Sequence, residues 1–140
     1  MKRFNVLCYF CSIFLCDFAV GSDLSFRLGK ATPFLSICSL KNDLYETNNI
    51  VSFTNNMLSK VYNSLEKSQK EAAALGANEF FDQLSYQAEL GVIKEEEVYA
   101  LPRCERYAAN ILKEICVDNE NEVKVTVSKC KKAKNIFQVF

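Results

Sequence analysis

The sequence of 140 residues contains no histidine and no tryptophan. The lack of histidine excludes histidine-ligated metal sites, Ser-His and Cys-His nucleophile pairs, and the usual proton shuttle near neutral pH. Glycine is also scarce, with four residues of which no two lie close together, so a phosphate-binding glycine loop is excluded. The sequence therefore predicts no catalytic residues, no cofactor and no metal ligands, and we expect a protein that is not an enzyme.

An excess of charge of either sign is absent as well. The chain carries 17 basic and 17 acidic residues, so no global field favours binding to nucleic acid or to an acidic lipid surface, and we expect no nucleic-acid partner. Hydrophobic residues make up 49% of the chain and charged residues 24%, which is typical of a globular protein. The length suits one domain and not two.

The first 22 residues have the layout of a secretory signal peptide. Lys2 and Arg3 precede an apolar run over residues 6–16, and Ala19 and Gly21 supply the small residues that favour a cut after Gly21. The run is shorter than the roughly 20 apolar residues of a spanning helix. The alternatives are a buried N-terminal helix or an uncleaved anchor, which would be the chain's only predicted contact with a membrane. We predict an exported protein, periplasmic or extracellular, whose mature domain spans residues 23–140.

Cleavage would remove three of the seven cysteines and leave an even number. In an exported chain of this size, that number predicts two disulfides. No C-x-x-C pair is present, so a disulfide framework is favoured over a zinc site or reactive thiols. The predicted disulfide residues are Cys38, Cys104, Cys116 and Cys130.

A long amphipathic helix is predicted from Pro33 to Leu75. Thr32 is suited to cap its start and Gly76 to end it. Two Thr-Asn-Asn repeats within residues 47–56 are its weak point, because these residue types form helices poorly. Its apolar residues recur every seven positions, at Ile37, Leu44, Val51, Leu58, Leu65 and Ala72.

Three shorter helices are predicted to return against the long one, at about 78–90, 94–101 and 103–117. The alternation of apolar and polar residues predicts short strands at Leu24–Leu28 and Val123–Val127. The predicted fold is therefore mainly α: a long helix packed antiparallel against two or three returning helices, with one or two short β-strands near the mature termini.

This hairpin also predicts the disulfide pairing. If the chain folds back at Gly76, Cys116 lies beside Cys38, and a strand after the last helix brings Cys130 past Cys104. We therefore predict the pairs Cys38–Cys116 and Cys104–Cys130. The alternative is Cys38–Cys104 with Cys116–Cys130.

Two charged stretches are candidates for contact surfaces. Residues 95–97 are three consecutive glutamates, which point about 100° apart on a helix and are interpreted as a solvated first turn. The C-terminal tail from about residue 129 is basic and ends in aromatic residues, so it is either a partner contact or a solubilising tail. Its candidate contact residues are Lys131, Lys132, Lys134, Phe137 and Phe140.

Three functions remain after these exclusions. The favoured one is a small exported, disulfide-stabilised helical protein that binds another protein without catalysis, as an envelope assembly component or as an immunity or inhibitor-type partner. The alternative is a secreted carrier that holds a small apolar ligand in a cavity between helices. A hydrolase that uses carboxylates alone is the least favoured. The sequence does not specify the oligomeric state.

Overall fold

The computed structural model describes residues 20–44, 49–92, 94–118 and 127–138. Within these residues the chain is mainly helical, and it forms six α-helices, one π-helical segment and no β-strand. In chain order, the helices are α1 (Val20–Lys41), α2 (Ile50–Ser64), α3 (Lys67–Glu89), α4 (Glu95–Val98), α5 (Leu101–Lys113), the π-helical segment (Glu114–Asp118) and α6 (Val127–Phe137).

Helix α1 is the central element of the bundle. Five of its buried apolar residues recur at spacings of four and three, which places them on one face of a helix. These residues are Leu24, Leu28, Ala31, Leu35 and Cys38. The predicted strand at Leu24–Leu28 is therefore wrong, because the helical spacing continues for three turns beyond the short alternation that suggested it.

Pro33 lies inside α1 and does not begin a helix. Proline removes one backbone hydrogen bond and crowds the carbonyl four residues earlier. Two hydroxyls bond to carbonyl groups in the same region of α1. Thr32 donates to the Leu28 oxygen at 3.0 Å, and Ser36 donates to the Thr32 oxygen at 2.9 Å.

The predicted helix from Pro33 to Leu75 is wrong as a single element, because its residues belong to α1, α2 and α3. Helix α2 begins after Asn49, whose side-chain oxygen accepts from the Val51 amide at 2.8 Å. This cap lies in the Thr-Asn-rich stretch that the sequence marks as weak, and residues 50–56 of the stretch are helical. A second break follows at Leu65 and Glu66, where the Glu66 amide donates to Gln69 Oε1 at 2.9 Å and starts α3.

Helices α2 and α5 both run antiparallel to α1. Ser36 near the end of α1 contacts Asn55 near the start of α2, with a donor–acceptor distance of 3.4 Å. The ring of Phe34 lies 4.5 Å from that of Tyr107 on α5. Earlier in α1, Arg27 pairs with Glu114 at 2.7 Å, just beyond the end of α5. The three helices enclose the core, which also includes Ala133 of α6.

Two disulfides hold this bundle together, and the first-choice pairing was wrong. Cys38 is bonded to Cys104 with the Cα atoms 5.9 Å apart, and Cys116 is bonded to Cys130 with the Cα atoms 5.5 Å apart. The prediction failed because no hairpin forms at Gly76, so the residue that faces Cys38 is set by the antiparallel packing of α5 on α1. The alternative pairing of the same four cysteines is the observed one.

The predicted helices after Gly76 are present in part. The segment predicted at 78–90 is the second half of α3, and Gly91, with a φ of +66°, follows its end. The segment predicted at 94–101 is reduced to α4, and that at 103–117 corresponds to α5 and the π-helical segment. Most of the predicted strand at Val123–Val127 lies outside the described residues, and its last residue begins α6.

Candidate protein-binding groove along helix α3

Helix α3 is attached to α1 through backbone atoms and small side chains. A Cβ atom at Gly29 would collide with the carbonyl oxygen of Ala73, and one at Gly76 would collide with the carbonyl oxygen of Phe26. Only glycine permits this approach of two backbones. Further along, Phe34 meets Phe80 with ring centroids 6.3 Å apart, so α3 runs parallel to α1.

This contact between α1 and α3 leaves most of α3 exposed to solvent. Of its 23 residues only Ala73 and Gly76 are buried, and neither belongs to the main cluster of buried apolar residues. Several large apolar side chains of α3 are instead turned outward, with exposed fractions of 63% for Leu75, 50% for Phe81 and 64% for Tyr86, and Leu90, which directly follows α3, is 57% exposed. A helix that covers so little of its own apolar surface is unusual in a monomer, where such patches often mark binding sites.

A second stripe of α3 follows the spacing of helix-packing positions. Its members lie three and four residues apart over two heptads, the pattern of side chains that face a neighbouring helix. At 1.5 Å per residue, the stripe is about 21 Å long. We call it the open stripe. Its residues are Ala74, Ala77, Phe81, Leu84 and Ala88.

The open stripe borders two cavities. The larger has a volume of about 1000 Å³, is open to solvent, and lies between α1, α2 and α3. The smaller, of about 670 Å³, lies at the other end of the stripe, between α1, α3 and α4. We call the two together the α3 groove.

The wall of the larger cavity opposite the open stripe is mainly polar and carries no charged residue. Helix α2 contributes Ser52, Asn55, Asn56 and Ser59 together with Leu58 and Tyr62, and α1 forms the floor with Gly29, Thr32, Pro33 and Ser36. None of the residues that line this cavity is ionisable except Tyr62. An occupant would therefore meet an apolar side and a hydrogen-bonding side, without a charge to pair with.

Charged residues stand at the two ends of the α3 groove. At the end where α3 begins, the Lys70 ammonium lies 5.7 Å from the centre of the Tyr62 ring. At the other end, Lys41 bonds Glu95 at 2.9 Å, and this carboxylate raises the pKa of Lys41. Burial raises the pKa of Tyr99 nearby, and the Glu95 carboxylate adds to the effect while Lys41 opposes it.

The three glutamates at 95–97 form the exposed α4 turn. Glu95 is paired with Lys41, and Glu97 lies 3.8 Å from Lys94. No two of the three are brought together in a cleft. Within the described residues, no group of acidic or cysteine side chains is placed to hold a metal ion.

The basic tail forms helix α6 up to Phe137. Lys131, Lys132 and Lys134 are exposed. Phe137 is half-buried, with its ring 5.3 Å from that of Phe53, so it is partly occupied in packing. Phe140 lies outside the described residues.

Lys129 stands apart from the other lysines of α6, because it is half-buried and lies 5.9 Å from the centre of the Phe53 ring. Burial lowers its pKa, and the neighbouring ammonium groups of Lys60 and Lys132 lower it further. These lysines therefore form a cluster of like charges on the α2–α6 surface.

The sequence marked the tail as either a partner contact or a solubilising tail, and the open stripe was not predicted. The pattern is visible in the sequence, because small or apolar residues recur every three or four positions from Ala74 to Ala88. It was missed because Gly76 was interpreted as a helix end, which divided the stripe between two predicted helices. Whether the tail binds a partner stays a prediction.

Among the described helices, none has both the length and the hydropathy that crossing a membrane requires. Comparisons with protein-family models, with curated proteins and with solved structures found no significant match for this chain. Its function therefore has to be inferred from the chemistry of its own surface.

Proposed function

We propose that this chain is a small exported protein that binds another protein without catalysis, through helix α3. The observation that carries the proposal is the disposition of α3: two small residues are buried, while Leu75, Phe81, Tyr86 and Leu90 are exposed. Apolar and aromatic side chains of this kind dominate the energetics of protein interfaces. A component of an envelope assembly and an immunity or inhibitor-type partner both fit this description.

Export is supported by the two disulfides, because such bonds persist in oxidising compartments. The predicted signal peptide lies largely outside the described residues. N-terminal sequencing of the protein from its native cells is expected to begin at Ser22. A protein that keeps its first residues would contradict cleavage of the signal peptide, and one found in the cytoplasm with free thiols would contradict export.

The binding role is tested by affinity purification from the native cells with two matched variants. In the first, Leu75, Phe81, Tyr86 and Leu90 are each replaced by serine. In the control, the exposed residues Val117 and Ile136, which lie outside α3, are replaced by serine. We expect the first variant to lose a protein that co-purifies stoichiometrically with the wild type, and the control to retain it. Loss from both or from neither would contradict a role for α3.

The carrier alternative is favoured by one observation, the volume of about 1000 Å³ in the larger cavity, which matches a small-ligand site. Against it, the cavity is open to solvent, whereas an apolar ligand gains most from enclosure. Native mass spectrometry of the purified protein separates the two functions, because a carrier would retain a small molecule of constant mass.

A further inference from the structure

The two disulfides differ in how far they are shielded from solvent. Both cysteines of the Cys38–Cys104 bond are fully buried in the core. In the Cys116–Cys130 bond, the first cysteine is 7% exposed and the second is half-buried. Thiol–disulfide exchange requires a thiolate to reach one of the two sulfur atoms. A reductant in solution can therefore approach Cys130, whereas it reaches the other bond only after the core opens.

Cys130 also lies in strongly basic surroundings. Lys129 and Lys131 flank it, and Lys134 follows four residues later on the same side of α6. Helix α6 carries four lysines, the adjoining α2 carries one, and neither helix has an acidic residue. Ammonium groups stabilise a nearby thiolate, which then leaves a disulfide more readily, and they attract the anionic nucleophile.

Helix α6 depends on the Cys116–Cys130 bond for its attachment. No described helix packs closely along α6, and among its described side chains only that of Ala133 is buried in the main cluster. The Phe137 ring lies 5.3 Å from that of Phe53, and the Lys129 ammonium lies 5.9 Å from the centre of the same ring. One covalent bond and a few side chains therefore hold α6 on the bundle.

Like charges at the α2–α6 contact oppose this attachment. Burial lowers the pKa of Lys129, and the ammonium groups of Lys60 on α2 and Lys132 on α6 lower it further. While the disulfide is closed, it holds α6 in place against the repulsion between Lys60 and Lys129. Once the bond opens, the same repulsion favours movement of α6 away from α2.

From these features we propose that Cys116–Cys130 is a thiol-exchange site, which a dithiol reductant opens while Cys38–Cys104 stays closed, and that its opening releases α6 from α2. This role concerns α6 and is independent of the proposed binding role of α3. Selective opening of the more accessible of two disulfides is typical of bonds that regulate or react.

The exchange takes two steps and transfers two electrons. A thiolate of the dithiol attacks the Cys130 sulfur, forms a mixed disulfide and displaces the Cys116 thiolate, which takes up a proton. The second thiolate of the dithiol then attacks its own partner sulfur in the mixed disulfide and displaces the Cys130 thiolate, which is protonated in turn. The dithiol is oxidised to a disulfide, and its two protons are balanced by those on Cys116 and Cys130.

The first experiment compares the opening rates of the two bonds. The folded, disulfide-bonded protein is treated with dithiothreitol without denaturant, free thiols are blocked with iodoacetamide at intervals, and mass spectrometry measures the alkylation of each cysteine. We expect Cys116 and Cys130 to become alkylated together, at least tenfold faster than Cys38 and Cys104. Equal rates, or faster opening of the Cys38–Cys104 bond, would overturn the proposal.

The second experiment tests the role of the lysines. Opening of the Cys116–Cys130 bond by an anionic thiol, mercaptoethanesulfonate, is compared with opening by a cationic thiol, cysteamine. Because the ratio of the two rates is compared between variants, a change in the stability of α6 cancels. We expect this ratio to fall at least threefold in Lys129→Gln, Lys131→Gln, and to stay unchanged in the matched control Lys67→Gln, Lys70→Gln on α3. High salt is expected to lower the wild-type ratio as well.

Acidic residues also precede α6 in the chain, at Asp118, Glu120 and Glu122. If they cancelled the charge of the lysines at Cys130, the rate ratio would not respond to the lysine substitutions or to salt. That result would overturn the proposal.

Hydrogen exchange tests the release of α6. The protein is held in dithiothreitol at a concentration that opens Cys116–Cys130 and leaves Cys38–Cys104 closed. We expect the amides of α6 to be accelerated at least tenfold more than those of α1 and α5, and Lys60→Gln to reduce this acceleration. Unchanged protection of α6, or equal acceleration in all three helices, would overturn the release of α6.

Discussion

At Gly29 and Gly76 a single added methyl group would collide with the backbone of the neighbouring helix. Alanine usually stabilises a helix interior by about 1 kcal/mol relative to glycine. Here the two helices would have to separate, so we expect Gly29→Ala and Gly76→Ala each to lower the free energy of unfolding by about 1–3 kcal/mol. Chemical denaturation followed by circular dichroism measures this change.

Gly91→Ala is the control for this prediction. Nothing lies within 4 Å of a Cβ built at Gly91, but its φ is +66°. The expected loss is about 1 kcal/mol from backbone strain alone. Unchanged or greater stability of Gly76→Ala would contradict the backbone contact between α1 and α3.

Tyr107 is expected to make the free energy of unfolding depend on pH in the alkaline range. Burial raises the pKa of its phenol, and the Glu114 carboxylate raises it further. The folded state thus favours the neutral phenol, so this contribution is complete below pH about 10, the unfolded value, and is lost as the pH rises through the folded-state pKa.

We therefore expect the stability of the wild type relative to Tyr107→Phe to be constant from pH 7 to 9 and to fall above pH about 10. Denaturation at a series of pH values measures it. Tyr62→Phe, which alters a tyrosine that is 45% exposed, is the matched control. A relative stability of Tyr107→Phe that does not depend on pH would contradict the prediction.

Lys60, Lys129 and Lys132 repel one another at the α2–α6 contact. Because burial and these neighbours lower the pKa of Lys129, its charged form is less favourable in the folded protein than in the unfolded chain. Lys60→Gln is expected to raise that pKa and to raise the melting temperature at neutral pH and low salt. Lys131→Gln, on the exposed side of α6, is expected to change neither. Equal effects of the two substitutions would contradict the cluster.

At the scale of the element, the two disulfides join different helices and close loops of different length. The Cys38–Cys104 bond joins α1 to α5 across a sequence separation of 66, whereas Cys116–Cys130 joins the π-helical segment to α6 across a separation of 14. The chain-entropy relation assigns about 4 kcal/mol to the longer loop and about 3 kcal/mol to the shorter. The longer bond also lies in the core, since both of its cysteines are fully buried.

We expect the double variant Cys38→Ala, Cys104→Ala to destabilise the whole domain by about 4 kcal/mol, and Cys116→Ala, Cys130→Ala to destabilise it by about 3 kcal/mol or less. Denaturant titration measures both. A non-reducing tryptic map should join the peptide 31–41 to the peptide 104–106. A map that joins 31–41 to the peptide containing Cys116 would contradict the observed pairing.

The helical character of the chain was predictable, and its division into helices was only partly so. The stretch around Asn49 looked weak because Thr and Asn favour caps, and a cap forms there. The predicted helix ends at Pro33 and Gly76 were wrong for a shared reason, because each residue type is common at a helix terminus when only local preference is considered. In the folded protein both lie inside helices. Gly76 allows the close backbone contact with α1, and Pro33 belongs to the helix that forms much of the core.

The proposed binding surface could not be predicted as a surface, because it depends on which faces remain uncovered. The spacing of Ala74, Ala77 and Phe81 is visible in the sequence, but the same spacing would serve a buried face equally well. Only the path of α3 along α1 shows that Ala73 and Gly76 are covered and the open stripe is not. The predicted cysteine pairing was wrong for the same reason, because the pairing depends on where α5 lies relative to α1.

At the scale of the whole molecule, the described residues divide into a cross-linked core and one attached helix. Helices α1, α2 and α5 share the buried cluster, and α3 contributes none of its residues to it. Local opening free energies vary within a protein, and elements with few buried contacts open first. Helix α3 is therefore expected to open more readily than α1 and α5, which carry the core residues and the Cys38–Cys104 bond.

Hydrogen exchange measured by mass spectrometry tests this division. We expect the amides of α3 to exchange at least tenfold faster than those of α1 and α5, because α3 lacks both disulfides and core residues. Gly76→Ala should accelerate exchange in α3 while leaving α5 unchanged. Uniform protection across α1, α3 and α5 would contradict the division.

The contact of α1 with α3 also determines which mutations evolution can accept. Neither glycine tolerates a side chain, whereas the solvent-facing positions of α3 outside its proposed contact residues are free to vary. Divergent relatives of this protein would thus differ at those positions of α3 while retaining two glycines spaced as Gly29 and Gly76 are here. That pair, together with the four cysteines, is the signature by which such relatives could be recognised.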